Sequence, residues 1–249
     1  MAIDTLENEV KKLYNYENLC LLWRQAEANG SIDSSLTYTH GDKQEKISYA
    51  LLDPKKDWSV ENKEGISLNK FVEIATKRKM TGFYHDDMIF ILSENVPEKF
   101  RQYVVLHEIT ERELEGIAED NILDLSGYYE NEKERKEFME RELKDAARYP
   151  HQQACVAEIS EIFENGKEFA EEYSNWLKET NWDLDDQGTY FNQAIPDYLK
   201  KNNLASEEPL KVLIDFYLKI KPVCWNWEIK KIVGKFPWIE PFVKDKEFS

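Results

Sequence analysis

The sequence predicts an α+β chain: a small antiparallel sheet interleaved with helices, followed by a mainly helical C-terminal region. Three observations predict it. Short β-leaning segments with turn residues between them occur only in the first hundred residues. Segments with apolar residues at three- and four-residue spacing dominate everything after residue 130. The whole chain holds only 9 Gly and 8 Pro, too few for long linkers, so residues 1–118 and 119–249 are expected to pack as one globular unit.

Taken in order, residues 4–29 carry Leu6, Val10, Leu13, Leu19, Leu22 and Trp23 at approximate helical spacing, with a stop at Gly30. "SLTYTHGDKQEKISYALL" reads as a hairpin around "HGDK", with His40 at its tip, and "DPKKDWSVENKEG" reads as a loop. "SLNKFVEIATKRK" puts Leu68, Phe71, Val72 and Ala75 on one face behind an N-capping Ser67. In "TGFYHDDMIFILS" a turn at His85-Asp86-Asp87 precedes a strand over Met88–Leu92. A metal cluster there is the weaker reading, because Asp favours turns through side-chain-to-backbone bonds. Pro97 then fits the first turn of a helix ending near Gly116. Further helices are expected over 131–149, from Pro150 to Gly166, and in "KEFAEEYSNWLKET", "TYFNQAIPDYLKKNN" and "EPLKVLIDFYLKIK", with Pro196 kinking or breaking the fourth of these. The tryptophans at 225, 227 and 238 read as core.

Bulk chemistry narrows the function classes. A net charge of -16 argues against general affinity for nucleic-acid backbones and fits solubility or a basic protein partner. No apolar run is long enough for a membrane span. The first residues lack a basic start, an apolar stretch and a small-residue cleavage site, so no signal peptide is expected. The 3 Cys are far apart with no CxxC, which points to a reducing cytoplasm rather than a disulfide framework.

The chemistry concentrates in "YVVLHEITERELEG", residues 103–116. On a helix His107 and Glu111 share a face, with Cβ atoms roughly 6 Å apart, so both can reach one ion. Glu108 points about 100° round the helix, the offset at which a glutamate serves as a base beside a metal rather than as a ligand. A second stripe, His151, Ala154, Cys155 and Glu158, lies some forty residues on. If its helix packs on the first, small Ala154 permits close approach and His151 or Glu158 faces His107 and Glu111. Glu158 then acts as a fourth ligand or as a partner to an imidazole. The plainer reading makes His107 a histidine with one hydrogen bond on a charged helix. Against it, Val104, Val105, Leu106 and Ile109 occupy most of the helix circumference, and a buried acid needs a partner, either a metal or an arginine such as Arg148. Cys155 reads as a buried structural thiol.

A strand, a proline turn and a helix carrying HE in mid-course resemble the zincin-like peptidases. HExxE followed by HxxAxxxE is similar to a group of bacterial and phage proteins regarded as metalloproteases. The matching residues are His107, Glu108 and Glu111, then His151, Ala154 and Glu158, within about residues 81–160. The resemblance implies a metal-dependent hydrolase acting on a protein or peptide. His107, Glu111, His151 and Glu158 would serve one divalent ion and Glu108 would be the catalytic base. Zinc is the first choice of ion. Glu111 stands where zincins have histidine, and a carboxylate there widens the choice to iron or manganese. The rival class is an acidic interaction protein on a zincin-like scaffold whose site has decayed.

Overall fold

The computed structural model describes residues 15–40, 43–61, 67–126, 131–146, 148–182, 208–220 and 226–243. The chain is α+β, and its described residues divide into two compact units, one up to Val105 and one from Leu106 onward.

In the first unit, helix α1 (Tyr16–Ala28) starts where the Asn15 side chain accepts the Asn18 N–H at 3.0 Å. It ends at Gly30, whose φ of +59° suits a residue with no Cβ. Residues 4–14 of the expected helix lie outside the described residues. Strands β1 (Ile32–His40) and β2 (Lys43–Leu52) pair antiparallel in a register that sets His40 opposite Lys43. Helix α2 (Leu68–Lys77) is N-capped by Ser67 and buries Leu68, Phe71, Val72, Ile74 and Ala75. Strands β3 (Gly82–His85) and β4 (Met88–Leu92) form a hairpin whose turn places Asp86 at φ +49°, so the His85-Asp86-Asp87 run is a turn.

The sheet order is β1-β2-β4-β3, and β2 pairs with β4 in parallel. The small sheet expected from the sequence is present, two of its pairings antiparallel and the β2–β4 pairing parallel. The connection from β2 carries α2 and β3 before β4 returns beside it, and a crossover of that length permits parallel pairing. Phe90 and Leu92 of β4 join Leu22, Ala26, Trp58, Phe71, Val72 and Phe83 in one apolar core. Ile89 and Ile91, pointing to the opposite face by strand alternation, are buried too. A strand buried on both faces needs an unbroken apolar run, which "MIFIL" supplies.

Helix α3 (Glu98–Ser126) runs from the first unit into the second. Gly116, expected to stop it, sits exposed inside the helix. An interior glycine costs about 1 kcal/mol relative to alanine. Beyond α3 come α4 (Glu132–Ala146), α5 (Arg148–Glu164), α6 (Lys167–Leu177) and a short π-helical turn (Lys178–Trp182). Then follow α7 (Pro209–Ile220), α8 (Asn226–Lys235), a 3-10 turn (Pro237–Ile239) and α9 (Glu240–Val243). Pro150 lies in the first turn of α5, where its missing N–H costs nothing, and Gly166 at φ +93° separates α5 from α6.

Phe163 anchors the interior of the second unit, with edge-on contacts to Tyr217, Phe236 and Trp238. Trp225, Pro196 and the side chains of Trp227 and Arg148 lie outside the described residues. Among the described residues no helix is long and apolar enough to cross a membrane.

Candidate metal centre

Two helices of the second unit bring the site together. Successive turns of α3 present His107 and Glu111 on one face, and α5 presents His151, Cys155 and Glu158. Ala154 on α5 and Ile109 on α3 are fully buried, and so is Val105 one turn before Ile109. His107, Glu108 and Glu158 are buried, whereas Glu111 and His151 are half-buried.

Three donor atoms form a near-equilateral triangle. His107 Nε2 lies 3.2 Å from His151 Nδ1 and 3.2 Å from Glu111 Oε2, and His151 Nδ1 lies 3.1 Å from Glu111 Oε2. Protons can fill it only with two cationic rings in contact: both imidazolium N–H groups then donate to Glu111 Oε2 while the two nitrogens stand 3.2 Å apart. A cation shared by all three has no such conflict. Zinc ligands at about 2.0–2.1 Å in a tetrahedral arrangement stand roughly 3.3 Å apart, close to the triangle observed. Two imidazoles and one carboxylate are also a donor set that zinc accepts in hydrolytic sites.

Each ring is held from its far side. Glu158 Oε2 lies 2.9 Å from His107 Nδ1, the ring atom turned away from the triangle, and Tyr173 of α6 donates its hydroxyl to Glu158 Oε1 at 2.5 Å. Of the two roles open to Glu158 in the sequence, its position is that of partner to an imidazole. On the other ring, Cys155 Sγ lies 3.9 Å from His151 Nε2. His107, His151 and Cys155 also offer ligand atoms within 4.8 Å of one another, a looser and softer donor set than the one containing Glu111.

The electrostatics follow from this crowding. Burial alone would draw the His107 imidazolium down, but hydrogen bonds to the Glu111 and Glu158 carboxylates outweigh it and hold His107 well above its ordinary value. For His151 burial is likewise outweighed, by Cys155 and Glu111, and its titration is pushed up to about 10. Burial opposes the charge on Glu111 as well, yet the two imidazoles hold that carboxyl down at about 2. Glu108 behaves differently. Burial raises it to about 8, with the imidazoles of His107 and His151 only partly offsetting this and the Glu111 and Glu158 carboxylates adding to it. The ion-free site thus holds protons at neutral pH that a cation would displace, and a cation beside Glu108 would draw its carboxyl down toward ionisation.

The structure brings together His107, Glu111, His151 and Glu158, with Glu108 in the same buried environment. Sequence reasoning gave no role to Tyr173. The stripe Ala170, Tyr173, Ser174, Leu177 could have found it, because it places the tyrosine on the buried face of α6, where a hydroxyl needs an acceptor. Comparisons with protein-family models, with curated proteins and with solved structures find no match to this chain.

Proposed function

We propose that this protein is a metal-dependent hydrolase, a zincin-like metallopeptidase acting on a protein or peptide. The observation that carries the reading is the donor triangle of His107 Nε2, His151 Nδ1 and Glu111 Oε2, with sides of 3.1–3.2 Å that match the ligand spacing of a tetrahedral zinc site. Zinc is the ion such a set suits first, and the Glu111 carboxylate keeps iron and manganese in the comparison. When bound, the ion supplies a Lewis acid for a substrate carbonyl and lowers the pKa of water.

The chain's own residues divide the remaining work. His107, His151 and Glu111 hold the ion. Glu108, adjacent to a ligand and poised near neutrality, takes the proton from the attacking water and returns it to the leaving amine. Burial of His107 and Glu108 excludes bulk water and strengthens the local electrostatics. Two free thiols, Cys20 and Cys155, support a reducing, cytoplasmic setting, and the charge of -16 favours a protein or peptide partner over nucleic acid.

Metal analysis of protein purified without added metal, beside His107→Ala, tests the reading. About one ion per chain is expected in the parent and almost none in the variant. Equal metal content in both would sink the site and leave a buried charge network on a binding protein.

A further inference from the structure

This inference rests on the metal-centre reading and concerns what fixes its ligands. The two imidazoles present different nitrogens to the triangle, Nε2 from His107 and Nδ1 from His151. An imidazole has no intrinsic reason to keep one orientation; the partner on its other nitrogen decides it. For His107 that partner is Glu158, and Glu158 is itself fixed. Its two oxygens are divided between different groups, Oε2 toward His107 Nδ1 at 2.9 Å and Oε1 toward the Tyr173 hydroxyl at 2.5 Å. Glu158 is only 8% exposed and Tyr173 only 1% exposed, so water cannot easily replace either partner. The tyrosine comes from α6, across Gly166 from α5, and its ring packs on Trp176 with centroids 5.3 Å apart. The hydroxyl is therefore held by the apolar packing of α6 as well as by the carboxylate.

We infer that Tyr173 is a positioning residue for the metal centre. Through Glu158 it keeps His107 Nδ1 protonated and Nε2 turned to the ion, while His151 ligates through Nδ1 with Cys155 behind its Nε2. A zinc ion held here has mixed imidazole ligation. Without the hydroxyl, Glu158 loses one of its two anchors and can rotate off His107 or swing toward the ion.

The test uses the full chain and zinc itself. Competition with a chromophoric chelator gives the zinc affinity of the parent, Tyr173→Phe and Glu158→Gln. Nitrogen-15 imidazole spectra of the zinc-loaded parent and of Tyr173→Phe read which ring nitrogen carries the proton. Tyr173→Phe should weaken zinc binding by about 10- to 100-fold, the usual effect of losing a partner behind a ligand. In the zinc-loaded parent the His107 proton should sit on Nδ1 and the His151 proton on Nε2, and the His107 signal should shift in Tyr173→Phe. The spectra of the parent keep the inference testable even if a variant folds poorly. Zinc bound equally by parent and Tyr173→Phe, or both imidazoles ligating through the same nitrogen, overturns the inference and leaves the hydrolase reading standing. A parent that binds no zinc removes both.

Discussion

Two tyrosine–carboxylate pairs, one in each unit, make the same bond and serve different ends. In the first unit Tyr49 donates to Asp33 Oδ2 at 2.9 Å, and Asp33 Oδ1 accepts the Ser35 backbone N–H at 2.8 Å. That pair closes on itself: both oxygens are used within a bulged hairpin, and the hydrogen bonds of Asp33 hold its carboxyl below the ordinary range. In the second unit Tyr173 donates to Glu158 Oε1, and Glu158 Oε2 faces His107, whose other nitrogen faces Glu111 and His151. There the chain of partners does not close but ends in three donors pointed at one another. On the proposed reading, the difference separates a structural polar contact from one that presents a site. A buried polar group that completes its bonds locally stabilises the fold. One whose bonds lead to converging ligand atoms is what the proposed metal centre requires.

The comparison breaks most sharply at His107. His107→Ala should reduce zinc affinity by at least 100-fold and destabilise the ion-free fold by about 3–5 kcal/mol, because Glu158 loses its charged partner while buried. Chelator competition and denaturant titration measure the two effects. Next in size is Glu108→Gln. It should keep the ion and lower hydrolysis of a peptide substrate by about 10²- to 10⁴-fold, the range for loss of a general base. Full hydrolysis with bound zinc would take Glu108 out of the mechanism.

A pH series separates the site from its ion. His107, His151 and Glu108 all titrate higher in the fold than their ordinary values of 6.5 and 4.5. Their contribution to stability is therefore fully present below those ordinary values and is lost as pH rises, through about 8 for Glu108 and about 10 for His151. Glu111, held down at about 2, works oppositely: its contribution is present above 4.5 and lost as pH falls. The ion-free protein should lose melting temperature between pH 6.5 and 10, by roughly 2–4 °C for each kcal/mol lost. Zinc requires deprotonated imidazoles, so the stabilisation it adds should grow over the same range. Parallel melting curves with and without zinc would contradict this. Smallest is Tyr49→Phe, which should cost about 1 kcal/mol and leave zinc affinity unchanged. It is the control for Tyr173→Phe.

What could be read from the sequence was local. Ser67 before an amphipathic run, the Asp86-Asp87 turn and Gly166 each act through their own backbone, so the sequence carries their meaning directly. The four-residue spacing of His107 and Glu111 belongs to the same class, because helix geometry alone puts them on one face. The stripe at 151–158 was readable as a stripe, and its convergence on His107 depended on how α5 packs against α3. Parallel pairing of β2 with β4 was hidden for a similar reason. It depends on the path of the crossover, while the segments themselves read as hairpins. Gly116 did not stop α3, because one interior glycine lowers helix stability by only about 1 kcal/mol. Tyr173 is the deepest of these cases, since its role exists only once α6 is folded beside α5.

The donor set is the central claim, and X-ray absorption at the zinc edge of the loaded, full-length protein tests it most directly. The triangle predicts a first shell of nitrogen and oxygen at about 2.0–2.1 Å, with scattering from two imidazoles and no sulfur. A sulfur scatterer at about 2.3 Å would contradict it and move the ion from Glu111 to Cys155.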